Sequence, residues 1–134
     1  MTDHLATVQS LYEAFGRGDI PSILEMLSPD IDWEHDAVDH GIPWLKAGRG
    51  REHVAGFFSE AAKLQFHLFA PEAFLADGRH VAVFVRHDVT NTTTGKRFAG
   101  VEIHYWTFDD EGRIARMKHF VDTAQHREAA SPSH

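Results

Sequence analysis

The segment from Arg97 to Asp122, RFAGVEIHYWTFDDEGRIARMKHFVD, decides the fold. Aromatic, β-branched and polar residues alternate along it, and the cluster Asp110-Glu111-Gly112 breaks the alternation once. That pattern predicts two strands, 97–108 and 113–123, joined by a tight turn. Working back, two further runs of the same kind, 66–76 and 80–90, are separated by Asp77-Gly78, and Thr94-Gly95 links the second of them to Arg97. The second half of the chain is therefore expected to be an antiparallel meander.

Ahead of Gln65 the period changes. Leu5, Val8, Leu11, Tyr12 and Phe15 recur at helical spacing, with Gly16 and Gly18 as a stop. Asp19 is placed to cap a second helix with Pro21 in its first turn and Ile23, Leu24 and Leu27 inward, ended by Ser28-Pro29-Asp30. Residues 31–36 read as a short strand. The stretch from Val38 to Gly50 reads as a loop whose one large apolar residue is Trp44, and 51–63 as a third helix burying Val54, Phe57, Phe58 and Ala61. The expectation is one α+β domain over 1–134, with an ordered core of about 4–124 and a frayed polar tail over 125–134.

Composition limits the partners. With 43% hydrophobic and 25% charged residues, the 134-residue chain has a globular profile. A net charge of -7 without a basic run argues against nucleic acid or an anionic membrane as partner. There is no cysteine, so disulfides and thiolate metal sites are excluded. The start Met1-Thr2-Asp3-His4 lacks the features of a signal peptide, and a cytoplasmic location is expected. Eleven histidines are present, and their placement carries more than their number.

The order of elements and several short motifs resemble the ketosteroid-isomerase and SnoaL-like polyketide-cyclase families of the nuclear-transport-factor superfamily. The motifs are Tyr12-Glu13-Ala14-Phe15 followed by Gly18-Asp19, Pro29-Asp30-Ile31-Asp32-Trp33, Gly50-Arg51-Glu52-His53-Val54 with Phe57-Phe58, Trp106 to Ile114, and Phe120-Val121-Asp122. The similarity runs from Val8 to Gln125. It implies three N-terminal helices packed on a curved antiparallel sheet that encloses a conical cavity, an α+β barrel. It also implies a small hydrophobic ligand and a homodimer through the outer sheet face, where Val101, Ile103, Tyr105 and Phe84 are expected. It does not define an activity, because the fold hosts isomerases, cyclases, epoxide hydrolases, dehydratases and binders.

Side chains alternate along a strand, so one fixed residue sets the parity of its neighbours. The resemblance places His35 where isomerases keep their base, His104 at the second acid, and His119 where cyclase-like relatives keep an acid. The isomerase tyrosine falls at Leu11, with Tyr12 turned away by about 100° on the helix. Catalytic candidates are accordingly His35, His104 and His119. Ligand-binding candidates are Trp33, Trp44, Phe57, Phe58, Glu102, Trp106, Met117 and Val121. On residues 80–90, either Val83, Val85 and His87 face inward or Phe84, Arg86 and Asp88 do. Histidine acid–base chemistry on a hydrophobic carbonyl compound is the leading expectation, as isomerase, cyclase or dehydratase. A non-catalytic binder is the alternative; an epoxide hydrolase, and a metal held by His35, His104 and His119, are less favoured. No metal or other cofactor is expected.

Overall fold

The computed structural model describes residues 3–132; the start Met1-Thr2 and the last residues of the expected tail, 133–134, lie outside the described residues. Four helices and six strands follow the order α1 (His4–Gly16), α2 (Ile20–Met26), β1 (Leu27–Trp33), β2 (Gly48–Arg49), α3 (Arg51–Ala61), β3 (Leu64–Asp77), β4 (His80–Asn91), β5 (Lys96–Phe108), β6 (Ile114–Phe120) and α4 (Thr123–Ala130). The strands form one sheet in the order β2-β1-β6-β5-β4-β3. β3 through β6 are the expected antiparallel meander, but β1 runs parallel to β6. The sheet is thus mixed, and β2 and β3 are open edges rather than a closed barrel seam.

α1 and α2 start where side chains satisfy free backbone N–H groups. Asp3 accepts from Ala6 N at 3.0 Å and Asp19 from Ser22 N at 3.2 Å. Gly18, at φ 71°, turns the chain between α1 and α2 at no cost in Cβ strain. The inward stripe of α1 (Val8, Leu11, Tyr12) meets Trp33, Val81, Val83, Val85 and Trp106 in the main core.

Three boundaries differ from the sequence expectation. α2 stops at Met26, and Leu27 to Asp30 begin β1 instead of ending a helix. Pro29 fits there because the β1–β6 register is interrupted between Leu27 and Asp32, so its missing N–H removes no ladder bond. β1 then ends at Trp33, not Asp36, because Glu34 and Asp36 take left-handed backbone angles of 55° and 61°. The third correction is the tail. Asp122 accepts from Gln125 N at 3.1 Å and caps α4, whose His126 and Ala129 are buried. The helix is fastened by Asn91 and Thr94, whose side chains donate to Ala129 O at 3.1 and 2.8 Å. Its Ala129 joins Ile42, Trp44, Val89 and Phe98 in a second apolar cluster over one end of the sheet. Among the described residues no helix is long and apolar enough to cross a membrane.

Candidate functional site

The inner face of the sheet is apolar along its upper strands and polar at one place. Val81, Val83, Val85, His87 and Val89 of β4 are all buried, which settles the β4 alternative in favour of Val83, Val85 and His87. Arg86 and Asp88 lie outward and pair with Glu72 and Arg97. On β5 the same face carries Glu102, His104 and Trp106, and on β6 it carries Met117 and His119. α1, α3, α4 and the loop around Trp44 cover this face, leaving a partly open cavity of about 80 Å³.

Trp33, Trp44, Phe57, Phe58, Glu102, His104, Trp106 and His119 line that cavity. Three expected residues do not. Met117 is 1% exposed and packs in the core, while Val121, past the end of β6, lines a separate surface cleft beside Glu34. His35 is the larger correction. The left-handed Glu34 breaks the alternation, so Glu34 turns inward and His35 turns out. The His35 ring is half-exposed, bonds Asp32 at 2.6 Å, and lies in a recess with Tyr105 and Phe120 on the outer side of the sheet. His35, His104 and His119 therefore do not share one volume.

Glu34 takes the inward position in place of His35, behind His119 and not on the cavity wall. It is 1% exposed, accepts the His119 backbone N–H at 2.9 Å, and accepts the His119 ring Nδ1–H with its second oxygen. A carboxylate accepts only, so the ring proton sits on Nδ1 and the Nε2 lone pair is left to face the cavity when the imidazole is neutral. Among the described residues Nε2 has no hydrogen-bond partner. Burial pulls the His119 pKa down, but the charge and hydrogen bond of Glu34, assisted by Glu102, outweigh it and hold it above the ordinary histidine value.

Opposite it, Tyr12 reaches the site that counting along α1 assigns to Leu11; both residues line the cavity. The Tyr12 hydroxyl lies 2.5 Å from His104 Nδ1 and accepts from Trp106 Nε1 at 3.2 Å. His104 Nε2 lies 3.1 Å from Glu102. Burial raises the Tyr12 pKa well above 10, so the phenol keeps its proton. Burial, reinforced by the His119 charge, lowers His104. Glu102 shows the reverse balance: burial pushes it up, yet the His104 hydrogen bond and the surrounding imidazoles bring it to about 2. The floor of the cavity is a carboxylate caged by histidines.

His126 and His87 complete the cage, and His126 was hidden in the tail. The Asp122 cap followed by helix-forming residues was the signal for α4. Trp44 Nε1 donates to His126 Nδ1 at 3.0 Å, and burial lowers the His126 pKa to about 4. The unfolded chain binds this proton near pH 6.5 and the folded one only near 4, so stability falls as pH drops through that window. Between pH 7 and pH 5 this group alone should cost about 2 kcal/mol. Urea midpoints at the two pH values test this: His126→Gln, which can still accept from Trp44, should show a loss smaller by that amount.

An α+β fold with helices closing an aromatic cavity over one sheet face, and polar groups gathered at its floor, defines the NTF2-like class of proteins. The model of the SnoaL-like domain matches residues 8–117, and the chain belongs to that family. Among solved structures, an NTF2-like protein of unknown function from Burkholderia pseudomallei is similar at 26% identity and TM-score 0.83, covering 98% of this chain and 99% of that one. TerC, co-crystallized with polyporic acid, is similar at 25% identity and TM-score 0.74, with 95% and 97% covered. A candidate polyketide cyclase from Pseudomonas putida shares the fold at 19% identity and TM-score 0.72, with 98% and 99% covered. No curated protein sequence matches the chain.

Proposed function

We propose that the cavity takes a flat, hydrophobic aromatic carbonyl or hydroxyquinone compound, and that His119 moves a proton on it. One observation carries this reading: a buried imidazole is fixed at Nδ1 by Glu34 while its Nε2 is free and faces aromatic walls. A histidine whose pKa is held above the ordinary histidine value by a neighbouring carboxylate can serve as acid and base in turn. Glu34 orients the ring and stabilises its cation, while Glu102 supplies fixed negative charge across the cavity. His104 and the protonated Tyr12 stand next to Glu102 as donors to a developing oxyanion. The binding of polyporic acid by TerC supports the ligand class.

The cavity volume of about 80 Å³ is small for a ring-bearing ligand, since ligand pockets usually measure ≈ 300–1,000 Å³. The half-exposed rim residue Phe66 and its neighbour Phe69 must therefore swing aside on binding. Three tryptophans line the site, so polyporic acid or a related hydroxyquinone should quench intrinsic fluorescence saturably at one ligand per chain. Mass spectrometry of the mixture then reads turnover. Binding without product in every compound tried supports the non-catalytic alternative instead, and no binding at all refutes the ligand class.

The same reading includes a homodimer through the outer sheet face. Val101, Tyr105 and Phe120 are 46%, 36% and 49% exposed there, alongside Ile103 and Phe84, a contiguous apolar surface that a monomer leaves in water. Light scattering should give twice the 15.1 kDa of the chain, and the pair Val101→Glu and Phe120→Glu should give a monomer. A wild-type monomer at micromolar concentration contradicts this.

A further inference from the structure

The histidines around Glu102 form two possible ligand triads, and hydrogen placement separates them. His87, Glu102 and His126 make one, and Glu102, His104 and His119 the other; within each, the donor atoms lie within 4.8 Å of one another. Donors bound to a zinc-sized ion at about 2.0–2.1 Å stand roughly 3.4 Å apart in a tetrahedron, so each triad needs only a small contraction.

The first triad fails on its protons. Indole N–H only donates, so the Trp44 bond occupies the His126 Nδ1 lone pair and leaves the neutral ring's proton on Nε2. That ring has nothing to give a metal. In the second triad the partners at Nδ1 allow each Nε2 to be freed. His119 Nδ1–H is held by Glu34, which leaves Nε2 free. His104 Nδ1 faces the Tyr12 oxygen, which accepts from Trp106 and has a second lone pair for His104 Nδ1–H. In the free protein the Glu102 carboxylate, 3.1 Å away, keeps the His104 proton on Nε2, and an incoming cation displaces it. The proton can settle on Nδ1 because the Tyr12 oxygen accepts as well as donates, which the Trp44 indole does not allow at His126. Nδ1 anchored on oxygen with Nε2 pointing inward is the arrangement metal-binding histidines adopt. His87, 3% exposed with its Nε2 3.5 Å from Glu102, belongs to the first triad and not to this one.

We propose that Glu102, His104 and His119 bind one divalent transition-metal ion at the cavity floor, with a further position left to water or ligand. Imidazoles with one carboxylate suit zinc, cobalt or nickel and not magnesium or calcium. The ion competes with the proton chemistry proposed above, because it takes the same Nε2 lone pair. Loading should therefore abolish that chemistry, and failure of one proposal leaves the other standing.

The test uses untagged, chelator-stripped full-length chain titrated with cobalt(II) and with zinc(II). One tight equivalent per chain is expected, with the visible absorption of cobalt in a four- or five-coordinate site. His119→Gln should weaken it by at least about 100-fold, and Tyr12→Phe, which removes the anchor of His104, by 10–100-fold. His126→Gln should leave the affinity within threefold. The exposed histidines of this chain are the competing sites, so the cobalt-induced paramagnetic shifts of the wild type decide the location without any variant. Shifts centred on His104 and His119 support the proposal. Shifts centred on His40, His53 or His67, binding unchanged in His119→Gln, or no tight equivalent at all would overturn it.

Discussion

Glu34→Ala is expected to destabilise the fold by about 3–5 kcal/mol, the range for breaking a buried ion pair from one side. The side chain is 1% exposed and satisfies both the backbone N–H and the ring of His119. Alanine leaves those donors buried without an acceptor and opens a void next to Trp33, whose ring packs on that of His119. Glu34→Gln keeps the shape and one acceptor oxygen, so its cost should be about 1–3 kcal/mol. His35→Ala, one residue on, should cost about 1 kcal/mol or less, because a half-exposed ion pair is all it loses. Urea denaturation of the three variants checks the order. If His35→Ala costs more than Glu34→Ala, the turn after β1 buries the other residue against His119.

His119→Gln is expected to lower proton transfer by roughly 10²–10⁴, the usual worth of a general acid–base group. Glutamine donates from its amide to Glu34 and fills most of the space, so folding and ligand affinity should be nearly kept. The readout is deuterium uptake at the carbon next to the carbonyl of a bicyclic aromatic ketone such as α-tetralone, in heavy water with chelator present. His35→Gln, on the far side of the sheet, should exchange at the wild-type rate. Equal rates in wild type and His119→Gln, with exchange above the buffer background, place the proton-transfer group elsewhere.

The strands were legible because their alternation is strong and their turns carry glycine. β3 to β6 lie within a few residues of the expected spans. Glu102, His104, Trp106 and His119 were placed on the inner face by parity from positions that the family resemblance fixed. Parity failed where the backbone left the extended region. Two left-handed non-glycine residues, Glu34 and Asp36, reverse the facing of Glu34 and His35, and no residue-type signal marks them. Tyr12 was placed one residue off because position along a helix was transferred from a family spacing rather than from the packing of its own face. α4 was missed for a different reason: its polar composition hides the short buried edge of His126 and Ala129, which only the Trp44 loop and β4–β5 cover. The parallel β1–β6 pairing is a tertiary fact that a strand pattern does not carry.

The most direct test of the central claim, that His119 Nε2 meets the ligand, is long-range ¹H–¹⁵N NMR of the histidine side chains during titration with a hydroxyquinone. Free protein should show His119 with its proton on Nδ1 when neutral and a pKa above 6.5, while His104 titrates below that value. On ligand addition the His119 Nε2 resonance should move the most, and His35 should not move. Saturable binding that leaves the His119 resonances in place, or that shifts His35 instead, would contradict the account.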